Sequence, residues 1–412
     1  MSNTLKLGNG KWATGKDTVL GYNSENNNIK PLPFSFSRAS SGTVINKAGL
    51  IETVGSGEPR IDFKDNTKGS LLLEPMATNL VTYSEDFSQW DMSNTSYSPN
   101  QTISPDGTLN SAKIIPNTNN VKHYTYFQGA AMNNNQSWSI FVKAENYSNI
   151  SITSGSISNG FEVKFDLSLG TVHSVQGAAY ESSKIESIGN GWYRCSVISS
   201  RTSGSWLQIY VLDDSHNSIF QGDGTSGIYL WGGQTVNSSV TTSYIPTSGS
   251  VVTRVGDVCN NGANEKVINS TEGVLYFETK GLVDVPSSSE YIQLSKNGEA
   301  SFNNSLTIQH RNNGYLRVYV NGTATSGIHF NENIDFTENH KIAVLYKLNG
   351  YKLFIDGVSQ SLFGTPTQTV FSGLDNLSFD LRDALNWNGS IKDVRIYNTA
   401  LTDQELIALT TI

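Results

Sequence analysis

The chain has 412 residues, a formal net charge of -8 and only 16% charged residues. This length exceeds what one hydrophobic core organises, so two or more domains are predicted. The acidic balance, without any cluster of Lys and Arg, argues against a nucleic-acid partner. A polar, glycine-rich composition with 18 Tyr, 17 Phe and 7 Trp predicts short strands joined by many turns, and therefore an all-β fold.

Residues 1–30 are predicted to be an extended N-terminal arm, because they contain too few apolar residues for a core of their own. Leu5, Leu7 and Trp12 are its candidates for docking into pockets of another protein, and a frayed tail is the alternative. Neither a secretory signal nor a membrane-spanning apolar run is recognisable in the chain. We therefore expect folding in the cytoplasm and no membrane insertion.

Residues 31–75 contain short apolar runs separated by turn signals, which predicts hairpins too small for an independent core. This small β region is expected to pack on the next domain or on neighbouring subunits. Arg38 could bind a carboxylate of a neighbour, and a solvated side chain or an internal ion pair is the alternative.

Residues 76–258 are predicted to form a jelly-roll sandwich, with strands that include residues 161–166, 206–212 and 243–245. Its central stretches, GNGWYRC (189–195), GDGTSGIYLWG (222–232) and TSYIPTS (242–248), each couple a turn to a strand-forming segment. Residues 268–412 are predicted to form a second antiparallel sandwich, because Asn349-Gly350 and Asp356-Gly357 separate alternating strands. Thr402 and Glu405 predict a capping box for one short terminal helix.

Several motifs in the first 259 residues occur in the order found in a known family. They are FSFSRASS (34–41), GLIE (49–52), EPR (58–60), LLLEP (71–75), ATNLVTYSEDF (77–87), SPDGTL (104–109), the three central stretches and VTRVGDVC (252–259). Together they resemble the head-spike or head-fibre domain of tailed bacteriophages, which is similar to jelly-roll carbohydrate-binding modules. The composition is also similar to that of crAss-like phages.

The C-terminal motifs KIAVLY (341–346), KLFIDG (352–357) and IKDVRIYNTALTDQEL (391–406) resemble a concanavalin A-like or laminin G-like sandwich. The two resemblances imply a structural virion protein, a head-fibre or head-spike subunit anchored by its N-terminus to the capsid or to another virion protein. They also imply a homotrimer, since fibres of this type are usually trimeric. A tail fibre or receptor-binding protein, a surface-polysaccharide depolymerase and a ligand-free decoration protein remain the alternatives.

Exposed aromatic side chains beside amides and carboxylates could stack on and hydrogen-bond to sugars. The candidates for glycan binding are Trp387, Tyr315, Tyr319, Trp206 and Trp231, with Tyr180 and Tyr210 as further ones. Aromatic residues in strands usually belong to the core. Trp387, which lies between turn residues, is predicted to be the best exposed.

An enzyme of the glycosidase type would need two carboxylates across a groove. Asp213, Asp214, Asp223, Asp356, Asp380, Asp383 and Glu278 are available, but they lack the alternating carboxylates of the glucanase strands. We therefore predict no enzymatic activity and no catalytic residues. No cofactor is predicted; the loops at 213–217 and 222–224 could bind Ca²⁺, although surface turns explain them more simply. Cys195 and Cys259 are predicted to be buried free thiols, with one disulfide between them as the alternative.

Overall fold

The computed structural model describes residues 3–25, 28–128, 135–201, 206–283, 286–299, 302–321, 328–348, 350–361, 371–381 and 385–412. It contains 34 strands (β1 to β34), one turn of 3₁₀ helix at Phe87–Gln89 and one α-helix, α1, at Asp403–Thr410. Within these ranges, no helix has both the length and the apolarity needed to cross a bilayer.

The first seventeen strands are β1 Leu5–Gly8, β2 Thr14–Gly15, β3 Thr18–Glu25, β4 Asn28–Ser37, β5 Gly42–Ile45, β6 Ile51–Val54, β7 Ile61–Asp62, β8 Ser70–Leu73, β9 Ala77–Asn79, β10 Asp91–Ser93, β11 Thr95–Ser98, β12 Ala112–Pro116, β13 Asn120–Gln128, β14 Gln136–Lys143, β15 Asn149–Ser154, β16 Phe161–Asp166 and β17 Thr171–Gln176. The others are β18 Tyr180–Gly189, β19 Trp192–Ser199, β20 Trp206–Leu212, β21 Ile219–Gln221, β22 Ile228–Val236, β23 Val252–Arg254, β24 Val258–Asn260, β25 Glu272–Gly281, β26 Glu290–Ser295, β27 Ser305–His310, β28 Tyr315–Asn321, β29 Ile328–Asn333, β30 His340–Lys347, β31 Gly350–Ile355, β32 Val358–Ser359, β33 Asn376–Ser378 and β34 Gly389–Tyr397.

The chain forms two compact units, each discontinuous in sequence. Unit 1 comprises Met1–Ser41, Val54–Pro75 and Val255–Ile412, and unit 2 comprises Gly42–Thr53 and Met76–Arg254. The prediction of an all-β fold with two sandwiches is confirmed. This division differs from the predicted boundaries, because residues 1–41 and 54–75 belong to the C-terminal sandwich instead of forming an arm and a separate small region.

Unit 1 is a sandwich of a twelve-stranded and a five-stranded sheet. The larger sheet runs β24-β4-β3-β1-β34-β25-β30-β31-β32, with β2 on β3, β8 on β34 and β7 on β8; the smaller runs β29-β28-β27-β26-β33. Strand β1 lies between β3 and β34, so the N-terminal residues complete the C-terminal sheet. Helix α1 begins with the predicted capping box of Thr402 and Glu405.

A buried ion network joins four distant segments of unit 1. The Arg38 Nη1 to Asp257 Oδ1 distance is 3.0 Å, and the Arg60 Nη1 to Glu74 Oε2 distance is 2.6 Å. Arg60 also binds Asp257 through Nη2, and the backbone N–H of Glu74 donates to Asp257 Oδ2 at 2.9 Å. The four side chains are at most 3% exposed. Arg38 is therefore held by an internal ion pair, one of the alternatives left open by the sequence.

Unit 2 is a sandwich of a seven-stranded and a six-stranded sheet. The first runs β10-β13-β20-β15-β16-β17 with β21 on β13, and the second runs β11-β12-β22-β14-β19-β18. Asn190 and Gly191, at φ 53° and 79°, make the left-handed turn between β18 and β19, as the sequence predicted. Cys195 in this unit and Cys259 in unit 1 are both buried and unpaired, which confirms the prediction of free thiols.

The predicted strand at 243–245 is absent, because this segment of unit 2 is held by side chains instead of a ladder. Asn79 Nδ2 donates to the Ile245 carbonyl at 2.8 Å, and the Tyr244 hydroxyl donates to Glu85 Oε1 at 2.8 Å and lies 2.7 Å from Ser84 Oγ. Burial raises the pKa of Glu85; the hydrogen bond from Tyr244 opposes this rise, and nearby Asp106 adds to it. The motifs at 77–87 and 242–248 are thus held together by hydrogen bonds from side chains.

The raised pKa of Glu85 predicts a pH-dependent stability of unit 2. Between the ordinary glutamate pKa and the raised one, the folded protein binds more protons than the unfolded chain. The stability that Glu85 contributes is fully present below the ordinary glutamate pKa, and it is lost as the pH rises through the pKa of the folded state. We expect Glu85→Gln to remove this part of the slope when the unfolding free energy of unit 2 is measured from about pH 4 to about pH 7. Glu181→Gln, at an exposed carboxylate, is the control; equal slopes in both variants and in the unmodified chain would contradict the assignment.

Candidate functional site

Four aromatic side chains form a row on the outer face of the seven-stranded sheet in unit 2. Tyr124 and Tyr210 are cross-strand partners on β13 and β20, and their ring centroids are 4.6 Å apart. Tyr126 is 5.9 Å from Tyr124 and 5.5 Å from Trp206, between ring centroids. Trp206 stands at one end of this aromatic row and is 42% exposed. Because the inner rings stack on one another, Trp206 is the member with most surface for a ligand.

The aromatic row lies on the outer face because successive side chains of a strand point to opposite faces of the sheet. On β13, His123, Thr125 and Phe127 are buried, which places Tyr124 and Tyr126 on the opposite, outer face. On β20, Leu207, Ile209 and Val211 are likewise buried, which turns Trp206, Gln208 and Tyr210 outward. The antiparallel register then brings the two outer sets together.

Polar groups beside the row have hydrogen-bonding capacity to spare. Gln208 lies directly opposite Tyr126, and Gln128 lies directly opposite Trp206. Within the described part of the chain, neither glutamine amide has a hydrogen-bond partner, and the same holds for the hydroxyls of Tyr124 and Tyr210. Ser151 and Thr153 continue the same face on β15, opposite Tyr210 and Gln208, but both side chains are buried. The face therefore combines aromatic rings with donors and acceptors that a ligand could use.

The outer face of the six-stranded sheet, by contrast, is covered by other parts of unit 2. Phe141, Trp192 and Trp231 pack there against Ile51 from β6 and against Tyr244 from the motif at 242–248. The Trp192 indole N–H donates to the Ile103 carbonyl at 2.9 Å. The aromatic face of the seven-stranded sheet is thus the better candidate for ligand contact in this unit.

Two tryptophans predicted to bind glycans are buried, so the prediction that their rings are available is wrong. Trp387 has no exposed surface; its ring packs near Phe277 and Phe336, and its indole N–H donates to Thr279 Oγ1 at 3.2 Å. The flanking turn residues gave it the appearance of a loop tip. Trp231 is 1% exposed, because the segment around Tyr244 covers its strand.

Tyr315 and Tyr319 are half-buried on the outer face of the five-stranded sheet of unit 1. The Arg317 guanidinium lies 4.4 Å from the ring centroid of Tyr319, and Phe302 lies 5.7 Å from it. The amides on this face are bonded to neighbouring side chains: Gln309 Nε2 donates to the Tyr291 hydroxyl at 2.8 Å, and Gln293 Nε2 donates to Thr307 Oγ1 at 2.9 Å. This face therefore offers a ligand less than the aromatic face does.

The docking residues predicted in the arm are inside unit 1. Leu5 and Leu7 have no exposed surface, because β1 turns both toward the core of the sandwich. Trp12 is partly buried against the same core, and its indole N–H donates to the Lys68 carbonyl at 3.0 Å. Leu5 and Leu7 are therefore core residues and not docking residues.

Three of the candidate carboxylates, Asp213, Asp223 and Asp356, have local partners. Asp213 Oδ1 accepts from the backbone N–H groups of Ser215 and Asn217, and Asp223 Oδ1 accepts from those of Thr225 and Ser226. Asp356 Oδ2 lies 2.7 Å from His340 Nδ1, and Asp383 lies outside the described residues. Across the described ranges, no three His, Cys, Asp or Glu side chains are grouped closely enough to hold a metal ion.

Tyr124, Tyr126, Gln128 and Gln208 were missed as candidates for ligand binding. The alternation of Asn120–Gln128 could have shown that Tyr124 and Tyr126 share one face. Which strand lies beside β13 could not be read, because β20 is about eighty residues farther along the chain. Trp206 and Tyr210 were named as candidates, and their role in binding stays a prediction.

Comparison with known proteins gives a family for the C-terminal region. A model described as Concanavalin A-like lectin/glucanases superfamily matches residues 283–407. The search of curated proteins found no match.

Three solved structures illustrate the similarity to other β proteins. The Ruminococcus gnavus IT-sialidase CBM40 bound to alpha2,3 sialyllactose is 16% identical, with 37% of this chain and 94% of that chain covered and a TM-score of 0.31. Trypanosoma rangeli sialidase is 9% identical, with 95% and 81% covered and a TM-score of 0.30. Mouse laminin alpha1 chain domains LG4-5 are 11% identical, with 69% and 90% covered and a TM-score of 0.23. These TM-scores are too low to define a shared fold.

The matched residues 283–407 lie within unit 1 and include both the five-stranded sheet and strands β30, β31 and β34 of the larger one. Strands β1, β3, β4 and β24, which extend the larger sheet, lie outside the match. The C-terminal part of the chain is therefore a concanavalin A-like domain of the laminin G kind.

Proposed function

We propose that this protein is a glycan-binding adhesin whose ligand lies on the aromatic face of unit 2. The observation that carries the proposal is the aromatic row, which ends in the exposed Trp206 beside the glutamine amides of Gln128 and Gln208. Sugar rings present apolar C–H faces to aromatic rings and hydroxyls to amides, and this face supplies both kinds of group.

The proposal treats the site as an adhesive surface without turnover. The aromatic row lies on paired strands of one sheet, and the polar groups beside it are mostly amides and hydroxyls. Weak binding at a single site of this kind becomes useful through multivalency, which a trimer or an array on a particle would provide.

Replacing Trp206 by alanine is expected to weaken glycan binding by at least about tenfold, since exposed tryptophan anchors carry a large share of binding energy. Affinity electrophoresis in gels containing bacterial surface polysaccharides measures this change. Tyr97→Ala, which removes an exposed aromatic on β11 of the other sheet, is the matched control. Retention that is unchanged in Trp206→Ala, or equally reduced in Tyr97→Ala, would refute the site.

The same gels distinguish adhesion from depolymerisation. After incubation with the retained polysaccharide, a reducing-end assay and size-exclusion chromatography should show an intact polymer. A falling polymer mass would identify a depolymerase, and carboxylates near the aromatic row would then be the first to substitute.

We propose further that the adhesin is a structural subunit of a phage virion, as a head fibre or head spike, with a tail fibre as the alternative. Support comes from the motifs that resemble the head-fibre domain: Arg38, Arg60, Glu74 and Asp257, which lie in four of them, meet in one buried network. Gold-labelled antibodies raised against the protein should mark the heads of intact particles in electron micrographs. Labelling confined to the tail would favour the alternative, and unlabelled particles would exclude both.

A further inference from the structure

Two carboxylates flank the aromatic row on opposite sides. Asp91 on β10 is the cross-strand partner of Tyr126, so its side chain lies on the same face of the sheet. Glu162 on β16 is the partner of Thr153, which in turn is the partner of Gln208. Within the described residues, neither carboxylate forms a salt bridge. The centre of the site is therefore bounded by two negative charges that no cation neutralises directly.

The lysines of this face are placed elsewhere. Lys122 lies 5.8 Å from the ring centroid of Tyr210, at the end of the row opposite to Trp206. Lys164 donates from Nζ to the His216 carbonyl at 2.9 Å. Neither ammonium group lies beside Trp206, where the exposed aromatic surface is.

The raised pKa values of Tyr210 and Tyr126 indicate that the surroundings of the aromatic row disfavour negative charge. Burial, then Tyr124 and Glu162, raise the pKa of Tyr210 to about 12. Desolvation, then Asp91, raise the pKa of Tyr126. The surroundings that oppose a phenolate would also oppose a bound carboxylate, sulfate or phosphate group.

We infer that the aromatic face selects uncharged glycans over acidic ones, with Asp91 and Glu162 as the residues that determine this selectivity. The inference rests on the proposed glycan-binding function. Carboxylates also accept hydrogen bonds from sugar hydroxyls, and such charge-assisted bonds are the stronger ones. Repulsion of an acidic sugar and attraction of a neutral one therefore act in the same direction.

Arg201 is the residue through which acidic glycans could bind instead. It lies five residues before Trp206, and its guanidinium packs closely over Gly155. A Cβ atom on residue 155 would lie only 1.6 Å from Nη1 of Arg201. Gly155 follows β15, next to the start of β20. Arg201→Gln is accordingly the variant that separates the two kinds of ligand.

The test uses the full chain and an array of bacterial polysaccharides, half neutral and half carrying carboxylate, sulfate or phosphate groups. Polygalacturonate and its methyl ester form a matched pair, in which esterification removes the charge and adds one methyl group to each sugar. We expect neutral polymers to bind at least about tenfold more tightly than acidic ones at low salt, with a smaller ratio at high salt because charges are screened. Trp206→Ala should reduce binding to the neutral polymers.

The double variant Asp91→Asn with Glu162→Gln should raise the ratio of acidic to neutral affinity by severalfold, and Glu181→Gln, on the other sheet, should leave the ratio unchanged. Acidic polymers bound more tightly than neutral ones, dependent on Trp206 and lost in Arg201→Gln, would overturn the selectivity and leave the adhesin proposal standing. Failure of every polymer to bind, or binding that ignores Trp206, would overturn both.

Discussion

Asp257→Asn is expected to lower the unfolding free energy of unit 1 by about 3 to 5 kcal/mol. Asp257 binds Arg38 and Arg60 and accepts a backbone N–H from Glu74, and its own side chain is fully buried. Removing its charge leaves the buried guanidinium groups of Arg38 and Arg60 with too little negative charge nearby to offset the cost of their burial. The expected fall in unfolding free energy is much larger than that for a single isolated ion pair, because the charged groups left behind in the network cannot reach water.

Urea denaturation followed by amide hydrogen exchange, with peptides from unit 1 and unit 2 read separately, measures this change. The control is Asp65→Asn, which removes an exposed carboxylate 3.9 Å from Lys280 in the same unit. A surface pair of this kind contributes about 1 kcal/mol or less. If the two variants were equally stable, the network would be a set of dispensable contacts.

Leu7→Ala is expected to destabilise unit 1 by about 2 to 5 kcal/mol, the usual effect of removing a buried leucine side chain. Leu7 lies on β1 opposite Val394 of β34, inside the core that the whole C-terminal sandwich shares. A cavity at this position would weaken the contact between residues at the two ends of the chain. The same denaturation experiment measures the effect.

Lys6→Ala is the control for Leu7→Ala, because Lys6 lies on the same strand with its side chain on the opposite face of the sheet. Its effect on the unfolding free energy should be much the smaller of the two. If Leu7→Ala kept full stability but no longer associated with virions, Leu7 would be a docking residue after all.

Much of the secondary structure could be read from local sequence. The strands at Phe161–Asp166 and Trp206–Leu212 and the turns at 190–191 and 356–357 agree with their predictions. The capping box at Thr402 agrees as well. These features depend on alternation, left-handed turn positions and side-chain caps, all of which act over a few residues.

The exposure of individual aromatic residues could not be read in the same way. Trp387 and Trp206 both stand near turn residues, yet one is core and the other is exposed. The difference arises because Phe277 and Phe336 of unit 1 cover Trp387, whereas β20 of unit 2 turns Trp206 to the outside. Burial of this kind depends on residues far away in the chain.

The amino-acid sequence by itself determined the all-β class and the two sandwiches, since composition, periodicity and turn chemistry are local properties. Only the tertiary structure decided that β1 completes the C-terminal sheet, that Arg38, Arg60, Glu74 and Asp257 form one network, and that Tyr124 and Tyr126 stand beside Tyr210 and Trp206. Each of these contacts joins segments distant in sequence, and strand pairing between such segments is set by the packing of the whole core.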